Sequence, residues 1–173
     1  MSKSAGLQLA IREADVQRFH AKVIITSTCW VWGGAVGGRD GYGRFALRRD
    51  DRRQRTVSAH VLAATVAYGA IPAGSTVLHD CDFRLCVRTD IAGHVRISTQ
   101  TENVRQAVRR GRSRGPHPGM VDVRGPAGVA RAVQDALRAS PDRSPAGLAL
   151  VLAQTLADGD PLRDNLTLFE PLP

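Results

Sequence analysis

Apolar residues recur along this chain with two different periods, and each change of period marks an element. Leu7, Leu9, Ile11, Val16 and Phe19 fit one face of a short amphipathic helix over 7–22. Segments 23–25 and 29–32 read as extended. Glycines at 33, 34, 37, 38, 41 and 43 then make a loop. A strand over 44–49 leads through a charged turn at 50–55 to a returning strand at 56–58. The uninterrupted run 59–68 predicts a helix, stopped by Gly69 with Pro72 beyond it. Short strands at 76–78 and 95–97 enclose a loop, 80–93. Thr99 has the chemistry of an N-cap, with Glu102 placed to complete a capping box, and the helix it starts runs to about Arg110.

A Gly- and Pro-bearing segment, 113–125, separates this body from two further helices. Pro126 and Pro145 stand where first helical residues belong, the second behind Ser144 as cap. Leu148, Val151, Leu152 and Leu156 form the apolar stripe of the last helix. The expected organisation is a domain over 1–112, a linker over 113–125, and a helical tail over 126–173. No apolar run reaches the roughly 18–20 residues of a membrane span, and charges interrupt any secretory h-region near the start. Both observations point to a reducing cytoplasm.

Composition sharpens the picture. The net charge is +8, and the excess of bases lies before residue 121, while the remainder holds more acids than bases. A basic body suits a polyanionic partner. Three cysteines cannot close a disulfide framework, and in a reducing compartment clustered thiols read first as metal ligands.

The chemistry-bearing residues fall in one order: CWVWGGAVGGRDGYGRF, then SAHVLAATVAYGAIPAGSTVLHDCD, then the segment through GHVRIST to the helix after Thr99. Over residues 18–112 this order resembles the HNH endonucleases of phages and mobile elements. The resemblance implies an α+β fold with a ββα-metal (His-Me finger) core at 76–111, a Gly-rich β region before it, and an α-helical tail. It implies DNA as partner and phosphodiester hydrolysis as the reaction. His79 is then the general base and His94 a ligand of the catalytic divalent ion, whether Mg²⁺, Mn²⁺, Zn²⁺ or Ni²⁺. Many members carry an Asp directly before the base. Leu78 stands there in this chain, so the carboxylate falls to Asp80 or Asp82. Arg44, Arg105, Arg109, Arg110 and Arg112 are the expected phosphate contacts. Asn103 is expected in a packing or capping role.

Two further sites are legible. Cys81 and Cys86, with four residues between them, suit a zinc loop; Cys29 and His60 complete a structural zinc set, with His60 otherwise a buried, hydrogen-bonded residue. Near the end, Leu166, Leu168 and Phe169 resemble the bacterial sliding-clamp binding peptide, which works by placing apolar anchors in a groove. A nuclease cutting both strands often dimerises, so a homodimer is also expected. The rival readings are a non-catalytic DNA-binding module on the same scaffold and a zinc-stabilised interaction protein.

Overall fold

A computed structural model describes residues 9–48, 53–110 and 122–160. Helix α1 (Glu13–His20) is followed by the antiparallel pair β1 (Val23–Ile25) and β2 (Trp30–Trp32). A second antiparallel pair, β3 (Arg44–Arg48) and β4 (Gln54–Ser58), runs into α2 (Ala59–Tyr68). The third pair is β5 (Ser75–His79) with β6 (Val95–Thr99), followed by α3 (Gln100–Arg109). Helices α4 (Gly125–Ala139) and α5 (Pro145–Ala157) close the described chain. The architecture is therefore mixed α and β, with five helices and small antiparallel sheets among the described residues. None of these helices is long and apolar enough to cross a membrane.

Few aromatics are present, and those that are do concentrated work. Phe19 stacks on Trp32 with ring centroids 5.1 Å apart, and Phe45 meets Trp32 edge-on at 5.9 Å. The close packing explains part of the glycine-rich loop. A Cβ at Gly43 would lie 2.3 Å from Trp32 Cδ1, so only glycine lets β3 start against the indole.

Helix α1 is shorter than the 7–22 stripe suggested. Arg12 caps it in extended backbone, and the buried Asp15 carboxylate accepts from Arg18 at 2.7 Å. Leu9 and Ile11 still pack on the core from outside the helix. The caps at Thr99 and Ser144 form as expected, each side chain accepting from a backbone N–H three residues on. Glu102 does not return to Thr99 among the hydrogen bonds found; its carboxylate lies 3.9 Å from Arg96.

The two helices behind the 113–125 segment share the core of the body. Val133, Leu137, Leu148 and Leu152 belong to the same buried cluster as Trp32 and Leu62. Gln134 Nε2 donates to the carbonyls of Trp32 and Gly34, each at 2.8 Å, and Ser27 N–H donates to Pro145 O at 2.8 Å. Residues 113–121 of the expected linker lie outside the described residues, and the apolar contacts join α4 and α5 to the body.

Candidate functional site

The segment between β5 and β6 is held from two sides. Val31 bridges Cys86, Trp32 N–H donates to Leu85 O, and Val87 N–H donates to Trp30 O, so residues 85–87 lie along β2. On the other side Val95 N–H donates to Arg88 O at 2.9 Å. Arg88 ties the corner down, donating to Ser27 O at 3.0 Å and Thr28 O at 2.6 Å while its guanidinium pairs with Asp90. This pinning brings the tip of the β1–β2 hairpin against the 81–94 loop.

The result is a four-donor cluster. The ligand atoms of Cys29, Cys81, Cys86 and His94 all lie within 4.8 Å of one another. His94 Nδ1 is 3.4 Å from Cys86 Sγ and 3.7 Å from Cys29 Sγ. A tetrahedral zinc with ordinary bond lengths separates its sulfur and nitrogen donors by about 3.6 Å. The donor set is therefore one that can hold a metal ion such as zinc.

Charge supports the fit. Hydrogen bonds from Cys29 and Cys86 hold the Cys81 thiol far below its usual range. Bonding to that same sulfur pushes Cys29 up to about 12, and contacts with Cys29 and Cys81 push Cys86 up as well. Three thiols packed together cannot all ionise without a counter-charge. A divalent cation removes that conflict, because it deprotonates the thiols it binds.

The geometry bears on two expectations. His94 lies with the thiols, in the set of donors that could hold a metal ion. His60 is absent from the cluster: it lies at the start of α2 with its ring 4.5 Å from that of His79. Its Nδ1 is buried and has no hydrogen-bond partner among the described residues.

His79 occupies the last pair of the β5–β6 ladder, opposite Val95. Its side chain is buried, and Nε2 lies 2.9 Å from Cys86 O. A carbonyl only accepts, so Nε2 carries the proton and donates, leaving the lone pair of the neutral ring on Nδ1. Burial lowers the His79 pKa, which keeps the imidazole neutral at physiological pH. Tyr42 stacks on the same ring at 5.9 Å. Cys86 therefore serves twice, by its sulfur in the cluster and by its carbonyl on His79.

The carboxylates nearby are engaged. Asp80 accepts from Arg96 through Oδ2 and from Gln106 through Oδ1, both at 2.6 Å, and the Arg96 contact holds its pKa below the usual range. Asp82 has a positive φ of 61° and pairs with Arg110 at 3.3 Å. An ion bound by either carboxylate must compete with these partners.

The arginines divide in the same way. Arg110 donates to the carbonyls of His79 and Asp80, bracing the end of β5 from α3. Arg44 donates to Ser58 Oγ at 2.6 Å and pairs with Asp40. Arg105 and Arg109 are exposed on α3. Asn103 sits half-buried on the helix face that also carries Gln106 and Arg110. Arg112 and the peptide residues Leu166, Leu168 and Phe169 lie outside the described residues.

Sequence reasoning missed Arg88, Tyr42, Arg96 and Gln106. Arg88 carried a usable signal, a base two residues after the second loop cysteine. The others are joined only by the fold.

Comparison with known proteins adds one relative. Over 105 residues the chain is 32% identical to "Protein 2.8" of Escherichia phage T7, a match covering 61% of this chain and 65% of that protein. No family model matches, and no solved structure does.

Proposed function

We propose that this chain is a metal-dependent DNA endonuclease of the HNH, ββα-metal type, with His79 as general base. The observation that carries the reading is the His79–Cys86 hydrogen bond. It fixes an imidazole at the end of β5 with its proton on Nε2 and its basic nitrogen on Nδ1. A base so held can take a proton from water as the water oxygen attacks phosphorus and the bridging phosphodiester oxygen departs. Asp80 or Asp82, released from its arginine partner, would hold a divalent ion such as Mg²⁺ or Mn²⁺, and the ion would supply positive charge to the anionic transition state. The order β5, β6, α3 supports the reading, as does the exposure of Arg105 and Arg109 on the helix that follows the site.

The Cys29, Cys81, Cys86 and His94 set has a structural role in this account, carrying zinc and fixing the loop whose carbonyl orients His79. A second reading, a non-catalytic DNA-binding module, draws on the buried Leu78 before His79 and the engaged Asp80. Incubation of supercoiled plasmid with the purified chain in Mg²⁺, Mn²⁺ or EDTA separates the two. Nicking that requires metal supports the nuclease. Plasmid that is retarded on a gel but uncut under every condition assigns the binding module instead.

A further inference from the structure

His60 is an uneconomical core residue. It is 9% exposed, and its Nδ1 is buried with no hydrogen-bond partner among the described residues. An unsatisfied buried nitrogen is destabilising, because it gives up water without gaining a partner. A leucine would fill the space without that cost, and the rest of the buried side of α2 is Ala59, Leu62, Ala63, Ala64 and Thr65. Burial also lowers the His60 pKa to about 3, so the ring is neutral and its place is not explained by charge pairing.

Its ring neighbours point to a use. His60 lies 4.5 Å from His79 at a 54° tilt and 5.0 Å from Tyr42, which itself stacks on His79. Among the described residues His79 is anchored by one hydrogen bond, from Nε2 to Cys86 O. A single such bond contributes little net stability, because water offers the same partners to the unfolded chain. On that alone, a ring turned over about its Cβ–Cγ bond would also be populated. A turned ring points Nδ1 elsewhere.

We infer that His60 is a positioning residue for His79: with Tyr42 it walls the imidazole into the one orientation that keeps Nε2 on the Cys86 carbonyl and Nδ1 free. The inference deepens the nuclease reading, since it takes His79 to be the working group of the site, but its structural content stands apart from activity. Retention of a costly polar ring beside a working residue is a trade of stability for function.

The test uses the full zinc-loaded chain and the variants His60→Leu and His60→Gln. Thermal melting, plasmid-nicking kinetics and the ¹⁵N–¹H long-range spectrum of the His79 ring are read in each. For His60→Leu the account expects an equal or higher Tm, kcat lowered at least about 10-fold with KM unchanged, and a His79 spectrum that shows a second tautomer or lines broadened by ring exchange. His60→Gln, which keeps a polar group, is expected to recover part of the rate. A His60→Leu chain with an unaltered His79 spectrum overturns the inference, whatever the nicking assay shows. Failure of the wild type to nick overturns the nuclease reading alone, because the His79 spectrum still decides the role of His60.

Discussion

Replacing Cys86 with serine removes one donor from the cluster that joins the β1–β2 hairpin to the loop before β6. The magnitude follows from what the cluster ties together. The sulfur–nitrogen spacings of 3.4 and 3.7 Å lie around the tetrahedral value of about 3.6 Å, so the donors are already gathered for an ion. Once seated it closes the long stretch between Cys29 and Cys81. By the loop-closure estimate, a link of that length is worth about 4 kcal/mol. For a chain of this size each kcal/mol moves Tm by about 2–4 °C, so loss of the ion should lower Tm by about 8–16 °C. The assay is elemental analysis of zinc with calorimetric melting of wild type, chelated wild type and Cys86→Ser. One zinc per chain is expected in the wild type and clearly less in the variant, with both metal-poor samples melting low. A wild type purified without metal, or a Cys86→Ser chain with full zinc and unchanged Tm, would refute the reasoning.

Three other outcomes follow from the same structure. Because the His60 pKa falls from 6.5 in the unfolded chain to about 3 in the fold, the unfolded state binds the extra proton between those values. Its contribution to stability is therefore complete above pH 6.5 and is lost as pH falls toward 3, by about 1 kcal/mol per pH unit; denaturant titrations should show a shallower acid slope in His60→Leu than in wild type. Gly43→Ala drives a Cβ to 2.3 Å from Trp32 Cδ1 and should cost about 1–3 kcal/mol in chemical denaturation; an unchanged midpoint contradicts the packing described. Arg105→Ala and Arg109→Ala should weaken DNA binding at low salt and each reduce the salt slope of log K by about 1, while Arg110→Ala should lower nicking more than binding, because Arg110 holds the carbonyls of His79 and Asp80. Filter-binding and nicking assays on the same preparations check both.

Local signals were well read from the sequence, and tertiary assembly was not. The bounds of α2 match because an unbroken helical run meets Gly69, whose φ of 83° ends it at no steric cost. Thr99 and Ser144 cap as expected because capping is settled within three residues. His79 was legible as a residue at a strand end, although the ladder carries the strand one residue further and takes His79 into it. The thiols were legible as a set, and the donor the fold brings beside them is His94, while the expected His60 lies beside His79. His94 follows Cys86 within one loop, and that nearness was the better guide than the helix-borne His60. The stripe on α5 announced a buried face but not its partner, which proved to be the core around Trp32. Contacts such as Gln134 to the carbonyl of Trp32 span about a hundred residues and leave no local trace.

The central claim is that His79 works as the general base of a DNA-cleaving site. Its most direct test compares plasmid nicking by wild type and His79→Ala in Mg²⁺ or Mn²⁺, at matched zinc content and after melting curves confirm that both are folded. The account expects the wild type to nick and the variant to lose about 10²–10⁴-fold in rate, with plasmid binding retained. Equal nicking by His79→Ala, or intact plasmid with the wild type under both metals, would contradict it.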